Sequence, residues 1–288
     1  MFEITKDTSN KDALFTKDQY LRMLTGFESK INEPVIEKWN DRYIFRGDLS
    51  ATSLKGYGAE PLISSIRENV LVYCAPRAGA AANAVATIAK LYNKKCIFFC
   101  PASKIASDHQ ASLMNFDNVE LRFVKIAAMP TLNIYAKRWA EQKGAKFLPF
   151  GLSGVPTVTA GLIYTASRMN IDPSEVWMSV STGTAIRAFE IAWPNANIKG
   201  IVVARNMKPG EIGKADLISA TIPFLKPAKN LPHFPTTVAY DGKAWERFEK
   251  ESKPGSIFMN VSCDANISKP YNGVIDSHRE WYDFKDLR

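Results

Sequence analysis

One lysine in this 288-residue chain sits where a nucleophilic amine could work. Lys55 follows an apolar run, Tyr43-Ile44-Phe45, then an Arg46-Gly47-Asp48-Leu49 step and a small-residue turn, Ser50-Ala51-Thr52-Ser53-Leu54, and it stands where a helix opens. An amine that forms an imine must be held still, partly desolvated and close to a carbonyl, and a strand end leading into a helix start meets those conditions. A second stretch, Glu175-Val176-Trp177-Met178-Ser179-Val180-Ser181-Thr182-Gly183-Thr184-Ala185, runs from a buried type of strand into small hydroxylic residues and another helix. Backbone N–H groups at such a turn, the helix dipole and the hydroxyls of Ser181, Thr182 and Thr184 suit a phosphate; a plain capped helix start has the same look. A third, Tyr73-Cys74-Ala75-Pro76-Arg77-Ala78-Gly79-Ala80-Ala81-Ala82-Asn83, places an arginine in a strand-to-helix loop, where it either clamps a carboxylate or phosphate bidentately or turns to solvent. The last core strand, Ser256-Ile257-Phe258-Met259-Asn260-Val261, ends in Ser262, Cys263 and Asp264.

Taken in this order, the four stretches resemble the fold type II pyridoxal-phosphate enzymes, the family of threonine synthase, cysteine synthase, threonine dehydratase and tryptophan synthase β. Arg46-Gly47-Asp48-Leu49 and Ser53-Leu54-Lys55-Gly56-Tyr57-Gly58-Ala59 are similar to the family's lysine signature, with Leu54 in its aromatic position and Tyr57 in place of its second arginine. The resemblance covers roughly residues 40–265. It implies pyridoxal 5'-phosphate held by Lys55 as an imine, its phosphate gripped by Ser181, Thr182, Gly183 and Thr184, and its pyridine nitrogen met by Ser262. Val180 and Thr182 replace two glycines of the family's phosphate loop, and Cys263 and Asp264 replace the glycines after the ring residue. Where the family has a substrate-binding serine and an Asn-His pair, this chain has Arg77, Ala80 and Ala81, so Asn83, about one helical turn on, is the candidate for the contact to the cofactor's phenolic oxygen. Ser53, Arg77 and Gly79 fall on the substrate side.

The implied enzyme is a lyase or transferase working at the α-carbon of an amino-acid moiety by elimination or replacement, deamination or decarboxylation. Asp264 bears on that choice, because a carboxylate at the ring nitrogen deepens the electron sink and a hydroxyl does not, whereas at the end of a strand it can also simply cap a turn. Two other readings remain: the same chemistry on an amino acid attached to a DNA base in a viral DNA-modification pathway, and a cofactor-binding homologue without turnover. The intact lysine argues against the last.

The elements needed to position these residues are legible. Apolar runs of four to eight residues alternate with helical periods, the pattern of parallel sheets covered on both faces. The fold class is α/β with two lobes, each a mostly parallel sheet with helices on both faces, and the cofactor expected in the cleft between them. Strands are expected at 42–47, 70–75, 95–100, 119–125, 146–150, 175–180, 199–205 and 255–261. Helices are expected at 79–93, 104–115, 130–143, 156–169, 184–193 and 242–252. The resemblance implies that residues 1–59 carry the lysine and join the large lobe, 60–150 form the small substrate-side lobe, and 151–288 the rest of the large cofactor-binding lobe. Four prolines make 223–235 an irregular connection.

Composition narrows the class further. With 46% hydrophobic and 23% charged residues the chain can bury substantial cores. No apolar run approaches the roughly 18–20 residues that span a bilayer, and the first residues lack an apolar signal region, so a cytoplasmic protein is expected. Four scattered cysteines without a Cys-x-x-Cys read as buried thiols, and three histidines without ligand spacing point away from a metal. The net charge is +8, and residues 60–150 hold twelve Lys/Arg against six Asp/Glu. That stretch is either a solvated basic face or a surface for phosphate or DNA. A homodimer is the assembly the resemblance implies.

Overall fold

The structure, a computed structural model, describes residues 10–101, 106–126, 128–204 and 212–271. In chain order its first elements are α1 (Lys17–Arg22), β1 (Ile36–Trp39), β2 (Arg42–Arg46), α2 (Ser53–Ser65), β3 (Val70–Cys74), α3 (Ala81–Leu91), β4 (Lys95–Cys100), α4 (Asp108–Ala111), β5 (Val119–Phe123) and α5 (Met129–Gln142). There follow β6 (Lys146–Phe147), α6 (Pro156–Arg168), β7 (Glu175–Val180), α7 (Thr184–Ala192), β8 (Asn197–Val202), β9 (Asp216–Ser219), α8 (Asp241–Glu251), β10 (Ile257–Asn260) and α9 (Asp264–Ile267). They group into two compact units, one of Met1–Pro61 with Ser153–Asp264, the other of Leu62–Leu152 with Ala265–Arg288.

The first unit holds a sheet in the order β1-β2-β10-β7-β8-β9. All neighbours run parallel except β1 and β2, which pair antiparallel. Asn40, at φ 54, turns that hairpin tightly, as asparagine can in the left-handed region. Strands alternate their side chains between faces. Ile44, Trp177, Ile201 and Phe258 meet Ala244, Trp245 and Phe248 of α8 in one buried cluster. Phe45, Val176, Met178 and Met259, on the alternate positions, are buried too, so that all six residues of β7 are buried, Glu175 and Ser179 among them. Pro156 opens α6, where a missing N–H costs nothing.

The second unit is built on a wholly parallel sheet, β5-β4-β3-β6. On one face Val72, Cys74 and Phe99 pack with Leu132, Ala136, Trp139 and Ala140 of α5. On the other, α3 lies against β3 and β4, its alanines permitting close approach.

Boundaries moved where local chemistry intervened. The expected strand 146–150 stops at Phe147 because Pro149 lacks an N–H and Gly151, at φ 65, turns the chain in a short 3-10 segment. Of the expected helix 104–115, residues 104 and 105 lie outside the described residues. Ser107 and Gln110 form a capping box that starts α4 at Asp108, and a 3-10 turn follows over Ser112–Asn115. The strand expected at 199–205 begins two residues earlier, at Asn197, and residue 205 lies outside the described residues. The short α1, β1 and β9 have no counterpart among the sequence expectations. The four cysteines are buried and free, and burial pushes the Cys74 and Cys96 thiols up to about 12. No helix among the described residues is long and apolar enough to cross a membrane.

Candidate functional site

Three neighbouring parallel strands of the first unit, β2, β10 and β7, end on the same edge of the sheet and deliver Lys55, Ser262 and the Ser181–Thr184 turn. The carboxyl ends of parallel strands are where open α/β sheets bind ligands. The lysine is placed by contacts on both sides of the β2 to α2 step. Arg46 grips Asp48 bidentately, Nε to Oδ1 at 3.0 Å and Nη2 to Oδ2 at 2.7 Å, and Asp48 Oδ1 accepts a bond from Asn260 Nδ2 at 2.8 Å. The Arg-x-Asp of the signature is thus a structural clasp between β2 and β10. Gly47 runs so close to β10 that a Cβ there would lie 2.2 Å from the Asn260 carbonyl oxygen. Leu54 then donates its N–H to the Val261 carbonyl at 2.9 Å, seating the start of α2 on the end of β10.

Ser53 adopts φ 58, a costly region for a residue with a Cβ, and its Oγ accepts the Lys55 N–H at 3.3 Å. Lys55 follows in the first turn of α2, half-buried. Burial is the main force pushing its amine down to about 8; the Arg187 guanidinium adds to the fall, and the Asp241 carboxylate opposes it.

At the end of β7, Gly183 takes φ 73 and lets α7 begin without a side-chain cap on its first N–H groups. Thr182 Oγ1 and Thr184 Oγ1 lie 3.2 Å apart, and Ser181 shares a hydrogen bond with the Tyr240 phenol, which burial pushes up to about 12. Beneath the turn lies Arg187, wholly buried. Its Nε meets Asp12 Oδ2 at 2.7 Å, Nη1 donates to the Thr182 carbonyl at 3.2 Å and Nη2 to Ser153 Oγ at 3.1 Å.

At the end of β10, the Ser262 hydroxyl is buried with no hydrogen-bond partner among the described residues. An orphaned buried hydroxyl costs free energy unless something else meets it. Beside it Asp241, also buried, accepts from four donors: Ser179 Oγ, Thr237 Oγ1 at 2.9 Å, Val261 N at 3.1 Å and Ser262 N at 3.3 Å. Burial outweighs these bonds and raises its carboxyl to about 6. The folded protein therefore holds this proton at a pH where the unfolded chain, at the ordinary 3.8, has lost it. Stability from this group is present below about pH 4 and is lost as pH rises through about 6. Denaturant unfolding of wild type between those limits should show a fall of roughly 2–3 kcal/mol that Asp241→Asn lacks. Parallel slopes for the two proteins would contradict it.

Asp264 behaves differently. Its Oδ2 accepts the Val238 N–H at 2.9 Å and its own N–H reaches the Thr236 carbonyl at 3.3 Å, so it ties the start of α9 to the 236–238 segment.

Arg77, Gly79 and Asn83 belong to the second unit. Arg77 is exposed. Gly79, at φ 120, donates its N–H to His109 Nδ1 at 3.1 Å. Asn83 gives its Nδ2 to Ser112 Oγ at 3.0 Å, and its Oδ1 is buried with no partner among the described residues.

No family profile matches the sequence, and no curated protein sequence does either. Solved structures do. A structure described as an ACC deaminase homologue superposes with a TM-score of 0.71 at 16% identity, over 84% of this chain and 94% of that one. Maize serine racemase gives 0.63 at 12% identity, over 93% and 95%. Diaminopropionate ammonia lyase of Escherichia coli, in apo form, gives 0.63 at 12%, over 91% of both chains. The fold is that of the fold type II pyridoxal-phosphate enzymes.

Within that fold the first unit brings Lys55, Ser262 and the Ser181–Thr184 turn to one sheet edge, with Ser53 capping the lysine's helix. It also adds two charged residues that sequence reasoning passed over. Asp241 reads as an ordinary acidic helix start, and nothing local signals its bonds to Ser179, 62 residues away, and to Ser262. Arg187 lies between Ile186 and Ala188 in a helix rich in apolar residues, and that position was the available signal, since an arginine on a buried face needs an acidic partner.

Proposed function

We propose that the first unit binds pyridoxal 5'-phosphate through Lys55 and that the protein is a lyase acting at the α-carbon of an amino-acid moiety. The observation that carries this reading is the amine itself: a half-buried lysine near 8, on the same sheet edge as an uncapped helix start and a buried hydroxyl without a partner. The residues present fit the cofactor. Ser181, Thr182, Gly183 and Thr184 would take its phosphate, and Ser262 would meet its ring nitrogen. When bound, pyridoxal phosphate supplies an electron sink for the bond broken at the α-carbon. Lys55, an amine close to neutrality at the same edge of the sheet, would be the base that takes a proton from that carbon and returns it. Burial, with the Arg187 guanidinium adding to it, keeps the amine from being held permanently as an ammonium.

Deamination or elimination is preferred to decarboxylation or group transfer. Its support is that the similar structures are described as deaminases, an ammonia lyase and racemases. A free amino acid is also preferred to one carried on a DNA base. Among the cations of residues 60–150, Lys94 is buried on the Ile66 and Glu68 carbonyls, while Lys90, Lys137 and Arg122 pair with Asp117, Glu141 and Glu120, which reduces the charge left for a polyanion. The reading carries with it a cytoplasmic homodimer, to be checked by sedimentation. The depressed amine disfavours a homologue without turnover.

Purified protein given pyridoxal phosphate should gain visible absorbance, and borohydride should fix the added mass on the peptide containing Lys55. Ammonia and a keto acid should then appear from at least one member of an amino-acid panel. A colourless protein with unmodified Lys55 would end the proposal.

A further inference from the structure

Two carboxylates stand near the end of β10, and their surroundings separate them. Asp264 is spent on the backbone of 236–238. Asp241 is different, because it is bonded at once to Ser179 of β7 and to the Val261 and Ser262 N–H groups that follow β10. The Val261 carbonyl, on the far side of the same residue, receives the Leu54 N–H. One residue thus lies between the Asp241 carboxylate and the turn of helix that presents Lys55. As the first residue of α8, Asp241 is also at the positive end of a helix, where a carboxylate is favoured. Among the described residues, the charged and titratable groups acting on this pair include Arg187 of α7, which acts on Lys55, and the Tyr240 phenol next to Asp241.

We propose that Asp241 is the counter-charge of the Lys55 site, a positioning residue that fixes Ser262 and balances Arg187 at the lysine amine, and that Asp264 has no part in this. Burial is the main force that drives the proton off Lys55, the Arg187 guanidinium adds to it, and the Asp241 carboxylate draws the proton back. With its carboxyl near 6, Asp241 supplies the negative charge above that pH and withdraws it below. For the loaded protein the inference rests on the cofactor reading above: the same charge would favour a protonated ring nitrogen, which the neutral Ser262 hydroxyl cannot do alone. At Lys55 it stands without the cofactor.

The test uses full-length, cofactor-free protein. Competitive labelling with acetic anhydride across pH, read by mass spectrometry at the peptide containing Lys55, reports the midpoint of that one amine. Wild type should turn over near 8. Asp241→Asn should move the midpoint down by about one unit, a tenfold change in proton affinity; Asp241→Glu should restore most of it and Asp264→Asn should leave it in place. An unmoved midpoint in Asp241→Asn, or an equal shift in Asp264→Asn, overturns the proposal. Should Asp241→Asn not fold, Lys55→Met gives the reciprocal reading, because coupled groups shift each other equally. The Asp241 carboxyl, followed by NMR with labelled aspartate, should then titrate about one unit higher than in wild type, and no movement counts against the proposal. Absence of visible absorbance after cofactor addition would remove the cofactor reading while leaving this labelling result intact, so the two failures are distinguishable.

Discussion

Lys55→Ala protein incubated with pyridoxal phosphate and reduced with borohydride should carry no added mass on the α2 peptide, and turnover should fall by about 10³-fold or more. The reasoning is local. Lys55 is the amine that α2, the Ser53 cap and the Leu54 to Val261 bond hold at the edge of the sheet, and burial together with Arg187 brings it near neutrality. Lys55→Arg should be as inactive as the alanine variant, because a guanidinium keeps the charge and offers no free amine at any working pH. Both variants should keep the wild-type fold by circular dichroism, since the first turn of α2 is held by backbone bonds and not by the lysine head. Retention of the reduced adduct in Lys55→Ala would place the chemistry on another lysine.

Arg187→Leu should destabilise the first unit by about 3–5 kcal/mol in denaturant unfolding, the range seen when one partner of a buried ion pair is removed. Arg187 is fully buried and Asp12 nearly so, at 0% and 4% exposed, so deleting the guanidinium strands a carboxylate in the interior. It also strips donors from the Thr182 carbonyl and Ser153 Oγ, loosening the turn assigned to the phosphate. Because folded domains hold only about 5–15 kcal/mol in reserve, such a loss would be visible in expression as well as in melting. The double variant Arg187→Leu with Asp12→Leu should recover much of the stability, since removing both charges leaves nothing unpaired. A single variant as stable as wild type would mean that water or another cation reaches Asp12.

The strand-to-helix steps that carry Lys55 and Ser181–Thr184, and the buried strands, were legible because each rests on neighbours in the chain. Strand β7 announces itself by its Val176-Trp177-Met178 run, α7 by the glycine before it, and the lysine by the Arg46 to Ala59 order. Even the Arg46 and Asp48 pair, two residues apart, is a local device, tied to distant parts of the chain through Asn260 and the Phe234 ring. Boundaries failed where a cap or a proline ruled, as at Ser107 and Pro149.

What the chain order could not show is which charges face one another. Asp12, Lys55, Arg187 and Asp241 lie far apart in sequence: Lys55 and Arg187 follow the ends of the parallel strands β2 and β7, Asp12 reaches Arg187 from the segment before α1, and Asp241 comes from the start of α8. Asp264, two residues after Ser262 in sequence, turned out to hold backbone, while the carboxylate that acts on the lysine amine came from the start of another helix. The sequence by itself determined the fold class, the lysine and the kind of turn that follows β7, since these depend on periodicity and adjacent residue types. Only the tertiary structure decided the electrostatics of the site, because burial and charge proximity are properties of packed strands and have no signature along the chain.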